Sequence, residues 1–215
     1  MRALWIAAVM CTWASAAGAD NWAAPQVKEV FSSSRDHFVR VTPGTSFGDT
    51  FGFAGSPKGA PATAEFYRRH ADRSYRLTAT AALLNPVAPV DFFVSDAGQL
   101  ATIDNWHNVG YGRVVALYDA HGKPVKSYAL EDLFTAAEIA AFGHSVSSRA
   151  WHQGTVYINR DQRTLYLMVA SGRDLILGLD TGRYAYCETR GGQYLCRTTN
   201  ADRQWRPYAA AVPDR

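Results

Sequence analysis

The sequence predicts a mainly β protein: antiparallel β-meander repeats in a propeller-like array, open or small, with one short helical crossover. Three observations predict it. Short apolar runs alternate with Gly-, Asp- and Ser-rich turns along the chain. Similar strand–turn–strand units return at spacings of 62 and 64 residues. A Gly-Gly turn sits midway between two cysteine-bearing strands, which sets one hairpin's register. A β-sandwich or barrel is the alternative packing of the same strands.

The first segment is expected to lie outside the fold. Arg2 is the only charge before Asp20, an apolar run follows from Ala3 to Trp13, and two small-x-small signals end at Ala16 and Ala19. That order describes a signal peptide over residues 1–19. The run is shorter than the ~20 apolar residues a membrane span needs. A lipid anchor at Cys11 is the rival reading. It is disfavoured because Met10 is not small and Cys11 lies inside the apolar run. Cleavage near Ala19 leaves residues 20–215 as one β-rich domain, secreted or periplasmic, with no transmembrane segment. It also removes one of the three cysteines.

Composition bounds the rest. A chain of 215 residues that is 47% hydrophobic and 13% aromatic can bury a core, which excludes disorder. With 22 basic against 19 acidic residues there is no basic stripe, which excludes a charge-driven nucleic-acid binder.

The first hairpin runs from Phe31 to Val41, and related ones from Phe92 to Ile103 and from Tyr157 to Met168. Aligning Phe31 with Phe93 and Tyr157 gives the repeat spacing. Each has a partner hairpin: Ala64 to Leu77, Arg113 to Leu130 with the Asp119-Ala-His-Gly122 turn, and Leu175 to Ala185 with Asp180-Thr-Gly182. The repeats cover about 28–90, 91–143 and 151–199, each with up to four strands. Three such units are fewer than the roughly four to eight blades of a closed propeller. Between Pro43 and Pro61, five glycines and three prolines predict an irregular loop. Thr135 and Glu138 form a capping box ahead of Ile139 and Phe142, with Gly143 as a stop. That helix marks the crossover before the third repeat, packed against a sheet end.

The final hairpin can be drawn residue by residue. Centring a two-residue turn on Gly191-Gly192 pairs Arg190 with Gln193, Thr189 with Tyr194, Glu188 with Leu195 and Cys187 with Cys196. Alternation from the turn puts the cysteines on a non-hydrogen-bonded pair, whose Cα atoms lie about 4.5 Å apart, within disulfide reach. We expect a structural Cys187–Cys196 disulfide in an oxidising compartment.

Chemistry-bearing motifs are sparse. Gly44-Thr-Ser46-Phe-Gly48 matches G-x-S-x-G, but the Gly- and Pro-containing stretch after it cannot supply the helix that a nucleophile elbow needs. No phosphate loop, dinucleotide fingerprint or helical His pair is present, so no cofactor and no metal site is assigned. The segment Asp104-Asn-Trp-His-Asn-Val-Gly-Tyr-Gly112 concentrates an acid, amides, an imidazole and two large aromatics in one loop. Together with His144 to His152 it supplies the binding candidates Asp104, Asn105, Trp106, His107, Tyr111, His144, Trp151 and His152.

The Val94-Ser-Asp-Ala-Gly98 and Leu117-Tyr-Asp-Ala-His-Gly-Lys123 turns, within roughly 92–130, resemble blade hairpins of secreted β-propeller repeat proteins. The chain is also similar to uncharacterised bacterial secreted proteins that carry an Asp-Asn-Trp-His-x-Val-Gly-Tyr-Gly segment. The resemblance implies propeller-like blades and carries no catalytic residues with it. The leading expectation is a non-catalytic binding or scaffold module whose partner is a protein or small molecule. The alternative is a hydrolase or metal-dependent enzyme built on Asp104, His107, His144 and His152. A component of an envelope assembly is a third.

Overall fold

The structure, a computed structural model, describes residues 22–45, 59–145, 147–198 and 204–207. The leader at 1–19, Cys11 and Ser46 lie outside the described residues.

The strands fall into three antiparallel sheets in chain order. Sheet 1 holds β1 (Lys28–Phe31), β2 (His37–Thr42), β3 (Thr63–Arg69) and β4 (Tyr75–Ala82). Sheet 2 holds β5 (Pro89–Val94), β6 (Leu100–Asn105), β7 (Val115–Tyr118) and β8 (Pro124–Tyr128). Sheet 3 holds β9 (His152–Ile158), β10 (Thr164–Val169), β11 (Asp174–Gly178), β12 (Tyr184–Arg190), β13 (Gln193–Arg197) and β14 (Arg206–Pro207). Each sheet is a meander, with sequence neighbours paired. Two short helices, α1 (Leu130–Leu133) and α2 (Ala136–Ala141), fill the crossover from sheet 2 to sheet 3. The described residues form no closed barrel.

Sheet 2 is the middle layer. Period-two alternation sends Phe92, Val94, Leu100, Ala116 and Tyr118 into one cluster with Val39, Val41, Ala64 and Phe66 of sheet 1 and with Leu83, which follows β4. The intervening residues Ala101, Ile103, Val115 and Leu117 join Leu165, Leu167, Leu175, Leu177 and Tyr186 of sheet 3. Every position of β6 and β7 is therefore buried, though sequence alternation alone would have left one face wet. Burying a side chain such as Leu100 or Leu117 contributes about 1.5–3 kcal/mol, so stacking on both faces is the main stabilising term of this layer.

The first turns of the three sheets share one geometry. Arg35, Gly98 and Gln162 have positive φ, and their N–H groups donate to Ser32, Ser95 and Asn159. The turns also touch: the Ser34 N–H donates to Asp96 Oδ1 at 2.7 Å, and the Asp96 N–H donates to Gln162 Oε1 at 3.0 Å. Correspondingly, β1 lies against β5 and β5 against β9. This geometry corrects the sequence alignment by one residue. Phe31 is equivalent to Val94 and Ile158, not to Phe93 and Tyr157. In a period-two element a one-residue slip exchanges the faces.

The crossover follows its capping signals. Thr135 Oγ1 accepts the Glu138 N–H at 3.3 Å, and Glu138 Oε2 accepts the Thr135 N–H at 2.8 Å. Glu138 also pairs with Arg173 in the β10–β11 turn, which ties α2 to sheet 3. Burial alone would raise the Glu138 carboxyl, but the Thr135 bonds and Arg173 outweigh it and hold the group below its ordinary value. Leu130, Leu133, Phe134 and Phe142 enter the core between sheets 2 and 3.

The last hairpin has the register drawn from the Gly-Gly turn: Arg190 opposite Gln193, Thr189 opposite Tyr194, Glu188 opposite Leu195 and Cys187 opposite Cys196. The cysteines form a disulfide, with Cα atoms 4.1 Å apart.

Candidate functional site

The connections that return between hairpins gather at the end opposite the first turns. There the Gly44 N–H donates to the Val87 carbonyl, the Ala62 N–H to Asn85, and the Trp106 N–H to Ala88. The two predicted loops meet at this end. Val109 bridges Ser148, and the Arg149 N–H donates to the Val109 carbonyl at 2.9 Å. Gly110 passes so close that a Cβ there would lie 2.7 Å from that of Arg149, and its φ is +75°, so both space and conformation require glycine.

Asp104 is the knot between them. It is 1% exposed and adopts φ 56°, a left-handed conformation that Asp tolerates better than most residues. Its Oδ1 accepts the Gly110 N–H at 2.8 Å and the Trp151 Nε1–H at 2.9 Å. Its Oδ2 lies 3.0 Å from His152 Nε2. The Gly154 N–H donates to His152 Nδ1 at 3.1 Å, so Nδ1 carries the lone pair and Nε2 carries the hydrogen that Asp104 accepts. Both ring nitrogens are thus engaged within the protein. An imidazole held this way joins an acid and a strand, and its Nδ1 is not presented to a substrate as a base.

The other predicted residues divide by depth. Trp151 is 0% exposed and sits against Phe134. Asn105 is buried, donating Nδ2–H to the carbonyls of Tyr111 at 2.8 Å and Arg113 at 3.2 Å, while its Oδ1 accepts from Asn85. These two and Asp104 shape the loop from beneath. Trp106 and His107 are half-buried and face the N-terminal segment. The Trp106 Nε1–H donates to the Ala23 carbonyl at 3.0 Å, and the Trp22 ring centroid lies 5.4 Å from Trp106 and 5.5 Å from His107. Burial lowers the His107 imidazole below its ordinary value. Tyr111 is half-buried and His144 exposed.

Tyr111 and His144 lead to residues the sequence reading missed. The Arg149 guanidinium lies 4.6 Å over the Tyr111 ring and has no carboxylate partner among the described residues. Arg149 and His144 form one side of an open cleft of about 530 Å³. Glu131, Phe134, Ala136, Ile139 and Ala140 from the crossover helices complete it. Ile139 is legible as an apolar helix residue after the capping box, but its spacing from Phe142 points equally to core packing. What marks the cleft is Arg149, one residue among 22 bases with no motif around it.

The arrangement can hold an apolar body against Phe134 and Ile139 while Arg149 pairs with an anionic group. Such pockets typically enclose about 300–1,000 Å³. Among the described residues, no group of three or more His, Cys, Asp or Glu side chains is placed to hold a metal ion. No described helix is long and apolar enough to cross a membrane. No protein-family model, curated protein or solved structure compared with the chain matches it.

Proposed function

We propose that this chain is a secreted or periplasmic, non-catalytic binding module. It is built of three propeller-like β repeats and takes its ligand in the cleft between the crossover helices and the side chains of His144 and Arg149. The observation that carries this reading is Arg149: a guanidinium braced on Tyr111, without an acid partner among the described residues, beside the apolar side chains of Phe134 and Ile139. That chemistry suits a small ligand or peptide terminus with an apolar body and a carboxylate, sulfonate or phosphate. The Cys187–Cys196 disulfide supports an oxidising compartment.

A second reading, a hydrolase, has one observation in its favour: Asp104 and His152 do converge, at 3.0 Å. The Gly154 N–H on His152 Nδ1 weighs against it, because the atom that would serve as base is already occupied.

The probe for the binding reading is 8-anilinonaphthalene-1-sulfonate, an apolar ring system bearing one sulfonate. The expected result is saturable one-to-one binding that weakens about tenfold in Arg149→Gln, the loss of one charge-assisted hydrogen bond. Non-saturable binding, or binding unchanged by Arg149→Gln, would contradict the proposal.

A further inference from the structure

The two junctions inside the chain define which face of each sheet meets which neighbour. Positions equivalent by the first turns behave alike. Val94 points back to sheet 1 and Ile158 back to sheet 2. Their equivalent in sheet 1 is Phe31, which shares a face with Phe38 and Tyr67 on the side away from sheet 2. Conversely, Val30 points forward to sheet 2 and Phe93 forward to sheet 3. Their equivalent in sheet 3 is Tyr157, on the side away from sheet 2 and stacked on Tyr166. Sheet 1 therefore ends the stack with a backward-type face, and sheet 3 ends it with a forward-type face. These are the two kinds that pack together at both internal junctions.

Both end faces expose large apolar groups. A row crosses sheet 1 from Phe31 through Phe38 and Tyr67 to Leu77, with Phe31 40% and Leu77 51% exposed. On sheet 3, Ile176, Ala185 and the cystine are buried with Tyr166 packed against them, while Tyr157 is 43% and Tyr194 36% exposed.

We infer that a second copy of this chain completes the stack: the Phe31–Tyr67–Leu77 face of each copy packs on the Tyr157–Tyr166–Tyr194 face of the other. Two copies supply six sheets, within the roughly four to eight that close a ring, whereas three copies would supply nine. The interface is head-to-tail, and it terminates because the ring closes. The inference rests on the propeller-like reading of the repeats but not on the ligand cleft, which lies at the loop end.

Sedimentation equilibrium of the chain with its cystine intact is the test. The expected mass is twice that of one chain. Leu77→Lys and Tyr157→Lys change side chains already exposed in the single chain, so folding is not at stake. Each alone is expected to weaken the dimer at least tenfold, and mixing the two variants to restore a dimer through the one junction left intact. A monomer at concentrations up to about 100 μM, where an interface of standard size is populated, would overturn the inference. So would a dimer indifferent to Tyr157→Lys, which would mean that sheet 1 pairs with itself. A monomer that still binds the sulfonate probe through Arg149 would sink this inference and leave the binding module standing. A dimer that fails to bind would do the reverse.

Discussion

The two ends of the sheet stack are built on opposite plans. At one end the chain turns tightly, and the three first turns join through the Ser34–Asp96 and Asp96–Gln162 hydrogen bonds. At the other end the connections between the sheets and within sheet 2 are long, held by a buried acid and two buried amides, with a cleft between helices and loop, while sheet 3 alone returns there through the tight 170–173 and Gly191-Gly192 turns. Tight turns satisfy their own backbone groups locally. Long connections cannot, so they must recruit side chains such as Asp104 and Asn105 to do it. The end that needs internal scaffolding is thus also the end with room for a ligand.

The sharpest way to break this contrast is to remove one carboxylate from each end. Asp104→Ala strands the Gly110, Trp151 and His152 donors in a buried setting. It is expected to cost about 3–5 kcal/mol, read as a lowered urea midpoint. Asp96→Ala removes a solvent-accessible acceptor and should cost about 1 kcal/mol. Equal losses would erase the distinction. Next in size is the staple of sheet 3. Cys187→Ala with Cys196→Ala is expected to lower stability by about 2–3 kcal/mol, the chain-entropy value for a loop of roughly ten residues.

Two glycines at the loop end separate its buried connection from a free turn at the same end. Gly110→Ala meets Arg149 and the left-handed φ together and should cost about 2–3 kcal/mol. Gly192→Ala, in a hairpin turn with open space around it, bears the conformational strain alone, about 1 kcal/mol.

The smallest effect is a pH dependence with a contribution from each end. At the turn end His37 is lowered by burial and then by Arg68, and at the loop end His107 is lowered by burial. A histidine with a depressed folded pKa binds fewer protons folded than unfolded below its ordinary value near 6.5. Its contribution to stability is therefore full above that value and declines as the pH falls below it. Urea midpoints between about pH 7 and pH 5 should fall on acidification, less steeply in His37→Gln and in His107→Gln. A midpoint that rises on acidification would contradict the sign.

Local rules carried the reading where the interaction is local. The Gly191-Gly192 turn determines the Cys187–Cys196 pairing by counting, and the Thr135–Glu138 box determines where α2 begins. The rule fails where the partner is distant. Phe31 and Phe93 look alike in sequence, yet the turns equate Phe31 with Val94, because four residues separate Ser32 from His37 and only three separate Ser95 from Gln99. The loop's polar residues were visible as candidates, but their depth was not. Asp104 and Trp151 read as surface chemistry until the contact between 104–112 and 144–152 buries them. Arg149 falls within the His144–His152 segment but is not among the binding candidates read from it, since a cleft is formed by elements that meet only in space.

The division of labour between the two ends can be tested directly by mapping amide chemical shifts of the chain as 8-anilinonaphthalene-1-sulfonate is added. The account predicts shifts at Tyr111, Phe134, Ile139, His144 and Arg149, and none in the turns at 32–36, 95–99 and 159–163. Shifts centred on those turns, or spread evenly over both ends, would contradict it.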